Sequence, residues 1–270
     1  MMQSVYHCVD RGVKPRAKST AKHRRPMPAT FRLSSRRASG LAALAMALTS
    51  LSGCGVWQSL AVRDDNAPSV AVRVAVRPQA WAHDERRGPG FEFGLEQFRA
   101  HDVRQLATGE TITIGSQNLL GPDPMGQVVT VRQAQVAYTH PFYFGDVFQL
   151  EPFVGLANVR VRYRAEPTNT ALRPELVRSS TVVFGGITPR LRLSESADVE
   201  ARLTLAPTLD VTDVYSRTLE VAAVLRPVSA VALRLGYAQR RVGVDFNVET
   251  NWTRLDIRAN GPFATAQFEF

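Results

Sequence analysis

"VEARLTLAPTL", residues 199–209, alternates without interruption. Val199, Ala201, Leu203, Leu205, Pro207 and Leu209 fall on one face, and Glu200, Arg202, Thr204 and Thr208 on the other. Successive side chains of an extended chain point to opposite sides, so a period of two sustained over this length predicts a strand with one apolar and one polar face. Working outward, the pattern recurs. Leu219, Val221, Ala223, Leu225 and Pro227 oppose Ser216, Thr218, Glu220 and Arg226; Val231, Leu233, Leu235 and Tyr237 oppose Arg234, Gly236 and Arg240. On the other side, Val183, Ile187, Leu191 and Leu193 oppose Arg190 and Arg192, and far upstream Val70, Val72, Val74, Val76 and Pro78 oppose Arg73 and Arg77.

Short polar connections separate these runs: Tyr143-Phe144-Gly145-Asp146, Ser194-Glu195-Ser196-Ala197, Asp210-Val211-Thr212-Asp213 and Pro227-Val228-Ser229-Ala230. Strands joined so tightly are antiparallel neighbours. The expected elements are ten strands at 69–80, 90–99, 110–117, 127–140, 147–163, 178–193, 197–209, 214–227, 230–245 and 254–270, in an all-β, antiparallel up-and-down order. Eight is the fallback, because "ETITIGSQ" at 110–117 is weak. Outer loops, all at one end, are expected at 82–89, 118–126, 164–177, 210–213 and 246–253.

The N-terminal part differs in kind. Lys plus Arg number 33 against 24 Asp plus Glu, but ten of the bases and only one acid, Asp10, precede residue 40. The remainder carries 23 of each sign, and its bases are all arginines. With no basic excess left to neutralise phosphates, nucleic-acid binding loses its support. Arg32, Arg36 and Arg37 precede an apolar run at 41–51 that is too short to span a bilayer, followed by small residues and Cys54, which is the order of a signal peptide. Met27 offers a start that gives this segment ordinary length, so residues 1–26 are expected to lie upstream of the true start.

The string Leu51-Ser52-Gly53-Cys54 resembles the lipobox of bacterial lipoproteins. The resemblance implies cleavage between Gly53 and Cys54, diacylglycerol on the Cys54 thiol, further acylation such as palmitate, and handling by lipoprotein-processing machinery. Gly55 in the next position implies sorting to the outer membrane of a Gram-negative cell. Segments then follow as 1–53 signal, 54–68 lipidated tether and 69–270 β domain. Cys8 falls in the segment expected to be lost, so no disulfide framework is available.

The last residues, "FATAQFEF", also alternate and end on Phe270. They resemble the C-terminal signal of bacterial outer-membrane β-barrels, with Phe268 and Phe270 read by the barrel-assembly machinery. Gly261-Pro262 is expected to mark a kink where facing residues switch parity. Together the two resemblances imply a transmembrane β-barrel whose apolar faces meet membrane lipid and whose polar faces fill the interior. The expected lumen charges are Arg73, Arg77, Glu92, Glu96, Arg190, Arg192, Glu200, Arg202, Glu220, Arg234 and Arg240. An acyl anchor and a C-terminal signal both at the periplasmic side require an even strand count.

Chemistry is sparse. After Cys54 the histidines are His83, His101 and His140, with no pair at metal-ligand spacing, so neither metal nor cofactor is expected. Trp81, Tyr138, Phe142, Phe144, Tyr237 and Trp252 lie near segment ends and read as interface aromatics. The leading expectation is a non-enzymatic outer-membrane lipoprotein barrel with a structural or surface-interaction role. A soluble periplasmic lipoprotein barrel binding an apolar ligand comes second and turns its arginines outward. An envelope lipid hydrolase comes third and needs a Ser/His/acid cluster at one rim, where only His140 is near a strand end.

Overall fold

The computed structural model describes residues 57–78, 88–207, 214–248 and 251–270, all within the compact unit Val56–Phe270. The expected signal segment, Cys54, Trp81, His83 and residues 210–213 lie outside the described residues. Thirteen strands form: β1 Trp57–Asp64, β2 Ser69–Val76, β3 Gly90–Leu106, β4 Thr111–Ile114, β5 Gln117–Leu120, β6 Asp123–Thr139, β7 Phe142–Phe144, β8 Phe148–Pro167, β9 Glu175–Arg192, β10 Ala197–Ala206, β11 Val214–Val228, β12 Val231–Val248 and β13 Asn251–Glu269. The described residues contain no helix.

One sheet runs β2-β3-β6-β8-β9-β10-β11-β12-β13, each neighbour antiparallel, and closes into a ring where β13 pairs with β2. That closing seam is parallel, and β1 lies along the other half of β13 in the same parallel sense. β1 and β2 are therefore two halves of one interrupted strand. Asp64 pairs with Ala259 and Ser69 with Phe263, so five steps on one side match four on the other, and the chain inserts one extra residue at 65–68. Eight strands plus this composite make nine positions around the ring.

Four expectations are corrected here. The count is odd, because residues expected as a tether instead form β1, and a parallel seam places Trp57 beside Trp252 at one rim and Phe270 beside Ala75 at the other. The two ends of the ring do not share a rim. Residues 110–117 do not join the wall; they contribute β4 to a separate hairpin with β5, turned by Gly115 at φ 62. The connection that includes 88–89 lies at the Phe270 rim, opposite the one at 168–174, since β2 and β9 both run toward Phe270. Finally, β13 keeps one parity through Gly261-Pro262, where Ala259, Gly261 and Phe263 all face inward. The irregularity is in the partner: the backbone of Ala67 comes so close to Gly261 that a Cβ there would collide with it, and Pro262, which donates nothing to a ladder, faces the interruption.

Each strand keeps a constant parity along its length, yet the apolar face changes over midway. In β8 the outward residues are Phe148, Leu150, Pro152, Val154 and Leu156, then Asn158, Arg160, Arg162 and Arg164; the inward ones pass from Gln149 and Glu151 to Val159, Val161, Tyr163 and Ala165. In β12 the outward side passes from Leu233, Leu235 and Tyr237 to Gln239, Arg241 and Asn247, while the inward side passes from Arg234 to Val242, Val244 and Phe246. The half of the ring toward Phe270 is thus apolar outside and charged inside. The half toward Trp57 is polar outside and apolar inside.

The main apolar core fills that second half: Leu60, Val62, Val129, Val161, Tyr163, Val244, Leu255 and Ile257 are nearly inaccessible. The β4–β5 hairpin folds onto it with Ile112, Ile114 and Leu119. Glu110 closes its neck, accepting hydrogen bonds from the Ala107 N–H at 2.9 Å and the Arg104 guanidinium at 2.7 Å. These two donors hold the Glu110 carboxyl below the usual carboxylate range, the Ala107 N–H being the larger cause.

Candidate functional site: a charged interior behind an apolar belt

The interior of the Phe270 half is built from residues that alternate with the belt. Arg73 on β2 lies 3.3 Å from Glu220 and 3.9 Å from Glu92, and Arg202 lies 2.9 Å from Glu92. Arg234 bridges Glu220, at 3.4 Å, and Glu200. Glu200 meets Arg190 at 3.0 Å, Arg190 meets Asp198 at 3.8 Å, and Asp198 pairs with Arg226. Arg240 joins Glu96 at 2.8 Å and the Ser69 hydroxyl at 2.8 Å. At the rim Arg77 pairs with Glu151 at 2.8 Å, and the Gln149 amide donates to the same carboxylate.

Ten of the eleven expected lumen charges therefore sit in this interior. Arg192 does not: it is exposed at the Phe270 rim, where β9 ends, and helps line an open cavity of about 270 Å3 at the mouth. Glu151 and Asp198 complete the network without having been singled out, although the parity of β8 and β10 marks both. Arg202 and Arg234 point into the ring, while Leu219, Leu233 and Leu235 point out.

Such a network needs near-complete pairing, because an uncompensated buried charge costs several kcal/mol. Phenylalanines separate it from the apolar core: the Arg202 guanidinium stacks 4.1 Å over Phe153, Arg240 lies 5.5 Å over Phe98, and Arg234 5.8 Å over Phe263. At this boundary a cavity between Phe98, Val131 and Val159 on one side and Glu96, Thr218 and Arg240 on the other measures about 20 Å3, room for about one water. The arrangement neutralises charge and fills space.

Outside, aromatics border the belt. Phe91 packs against Tyr138 at 5.8 Å, and His140 sits between Tyr138 and Phe142 at the Phe270 rim, its Nδ1 3.2 Å from the Tyr138 hydroxyl. Phe144 packs on Phe148. Tyr237 marks the other border of the belt. Trp252, expected at the same interface, lies at the far rim beside Trp57. His101 is exposed, its backbone N–H donating to Asp64. Among the described residues no group of three His, Cys, Asp or Glu is placed to hold a metal.

No family model, curated protein or solved structure matches this chain.

Proposed function

We propose that this chain is an outer-membrane β-barrel of a Gram-negative cell, set into the bilayer by the half that ends at Phe270, with a filled interior and a structural or surface-interaction role rather than a catalytic one. The observation that carries this reading is the outward apolar belt backed by buried arginines and carboxylates. In β8 the belt occupies residues 148–156, and nine residues at about 3.3 Å rise and about 40° tilt give a height of ~23 Å, near the lipid-facing band of membrane barrels. A soluble ring would turn Arg202 and Arg234 to water. The aromatics around Tyr138 and Phe148 suit the headgroup level at its border. The Trp57 half, polar outside and packed inside, then projects into water.

The chain's C-terminal strand end, Phe270, belongs on the periplasmic side in this reading, and the projecting half on the cell surface. With Trp57 at the rim opposite Phe270, the first strand of the ring begins on the cell-surface side in this reading, and not on the periplasmic side expected for the acyl-anchored end. Lipid A or phospholipid hydrolysis lacks a supporting arrangement: the His140 ring meets the Tyr138 hydroxyl within an aromatic cluster.

Separated inner and outer membranes provide the test, with gel mobility compared before and after boiling. The expected result is an outer-membrane protein that resists alkaline washing, runs faster unboiled, and passes no ions in a planar bilayer. The Cys54→Ser variant should lose palmitate labelling and keep the heat shift. Release by alkaline wash would overturn the embedded belt, and steady conductance would overturn the filled interior.

A further inference from the structure

Just beyond the belt the outer wall carries a row of arginines, and they are not alike. Arg258 and Arg63 are cross-strand neighbours, as are Arg241 and Arg217. In the first pair Arg258 lies 3.8 Å from Asp256 and Arg63 3.1 Å from Asp65; in the second Arg241 lies 3.0 Å from Asp256. Asp65 and a shared Asp256 thus give three of these four arginines a carboxylate partner. Arg132 on β6 and Arg160 on β8 are also directly opposite each other. Neither has a carboxylate partner among the described residues, and Arg132 donates only to the neutral Gln97 amide, at 2.8 Å.

Like charges directly opposite each other destabilise a sheet unless something neutralises them. Here they stand at the edge of a groove of about 530 Å3 whose belt side is Val70, Val72, Leu95 and Ala134. Register places Val72, Leu95 and Ala134 in one row across β2, β3 and β6, with Val70, Gln97, Arg132 and Arg160 in the next row toward Trp57. Ala134 of the apolar floor is therefore two residues from Arg132 on β6, and the paired Arg160 lies two residues beyond Asn158 on β8.

We infer that this groove holds a phosphate-bearing membrane lipid, its acyl chain along Val70, Val72, Leu95 and Ala134 and its phosphate between Arg132 and Arg160. The inference rests on the belt being embedded. Two guanidinium forks can each meet phosphate oxygens through paired N–H donors, a geometry that an ammonium does not reproduce. The apolar floor selects the lipid over free phosphate, and the uncompensated pair selects an anionic headgroup over a zwitterionic one. Binding also removes the mutual repulsion of the two arginines.

The full chain is reconstituted into vesicles of phosphatidylcholine alone or with a tenth of phosphatidic acid, and the lipid retained after detergent exchange is measured by native mass spectrometry. The expected result is enrichment of phosphatidic acid on the protein, reduced roughly ten- to thirtyfold in the Arg132→Gln/Arg160→Gln double variant. The Arg217→Gln variant, on another part of the wall, should keep it, and Arg132→Lys/Arg160→Lys should keep only part. Equal retention by wild type and the Gln double variant overturns the site, as does equal loss in Arg217→Gln, which would make the effect one of overall charge. Displacement of the lipid by millimolar inorganic phosphate overturns the lipid as occupant. Failure of the wild type to insert into either vesicle overturns the embedded belt itself and the lipid site with it, whereas insertion without enrichment overturns only the lipid site.

Discussion

The two halves of this ring are made from the same strands with the same period and opposite chemistry. Toward Phe270, Leu235 is half exposed outside while Arg234 on the same strand is almost inaccessible inside; toward Trp57, Arg241 is outside and Val242 inside. Hydrogen bonding cannot distinguish the halves, since the ladder of β12 with β13 runs in unbroken register from Val231–Phe268 to Val248–Asn251. What differs, in the proposed reading, is the surroundings each half meets. A wall that faces lipid must present carbon outward and place its polar groups where they can pair with one another. A wall that faces water does the reverse and is held by apolar burial. One closed sheet therefore carries both solutions end to end, joined by the layer of Phe98, Phe153 and Phe263.

The comparison breaks most severely inside the charged half. Glu220→Ala strips a shared carboxylate from Arg73, Arg234 and Arg240, and unfolding in detergent should show a loss of about 3–5 kcal/mol. Ile257→Ala in the apolar half opens a cavity where the side chain is fully inaccessible; a loss of about 2–5 kcal/mol is expected, with insertion into vesicles unchanged. If Ile257→Ala instead blocked insertion, the division of labour between the halves would be wrong.

The outer wall offers a sharper contrast. Leu235→Arg places a charge in the belt and should cost about 2–4 kcal/mol in a bilayer, whereas Thr181→Arg on the polar half should stay within about 0.5 kcal/mol. Equal costs, measured by folding into vesicles, would remove the distinction between lipid-facing and water-facing wall. The smallest effect concerns the hairpin cap. The Glu110 carboxyl is held below its usual range by Ala107 and Arg104, so its contribution is present above the unfolded-state value and fades as pH falls through the lower folded one. Amide exchange over 111–120 should lose protection on that acid side, and Glu110→Gln should show the reduced protection already at neutral pH.

Much of this was legible from alternation. Nine of the ten expected strand segments lie in the wall, and the inward set of arginines and glutamates follows from parity at Arg73, Glu92, Glu200, Arg202, Glu220 and Arg234. The exchange of faces was legible as well, had parity been followed to the strand ends. In β8 the even positions that carry Phe148 and Leu156 go on to carry Arg160 and Arg162, while Val159 and Val161 take over the odd ones. Reading each strand as having a single apolar face stopped that count too early.

Sequence alone determined that the chain is all-β, where most strands lie and which side chains share a face, because a period of two is a local property of the extended backbone. Tertiary structure decided the rest. Trp57–Asp64 is a strand only because β13 offers it an edge, and the ring has nine positions only because its ends meet in parallel. Buried charges find partners far away in the chain: Arg73 and Glu220 are 147 residues apart, and Arg202 and Glu92 are 110 apart. Such contacts depend on how the sheet curves and closes, which no local pattern encodes.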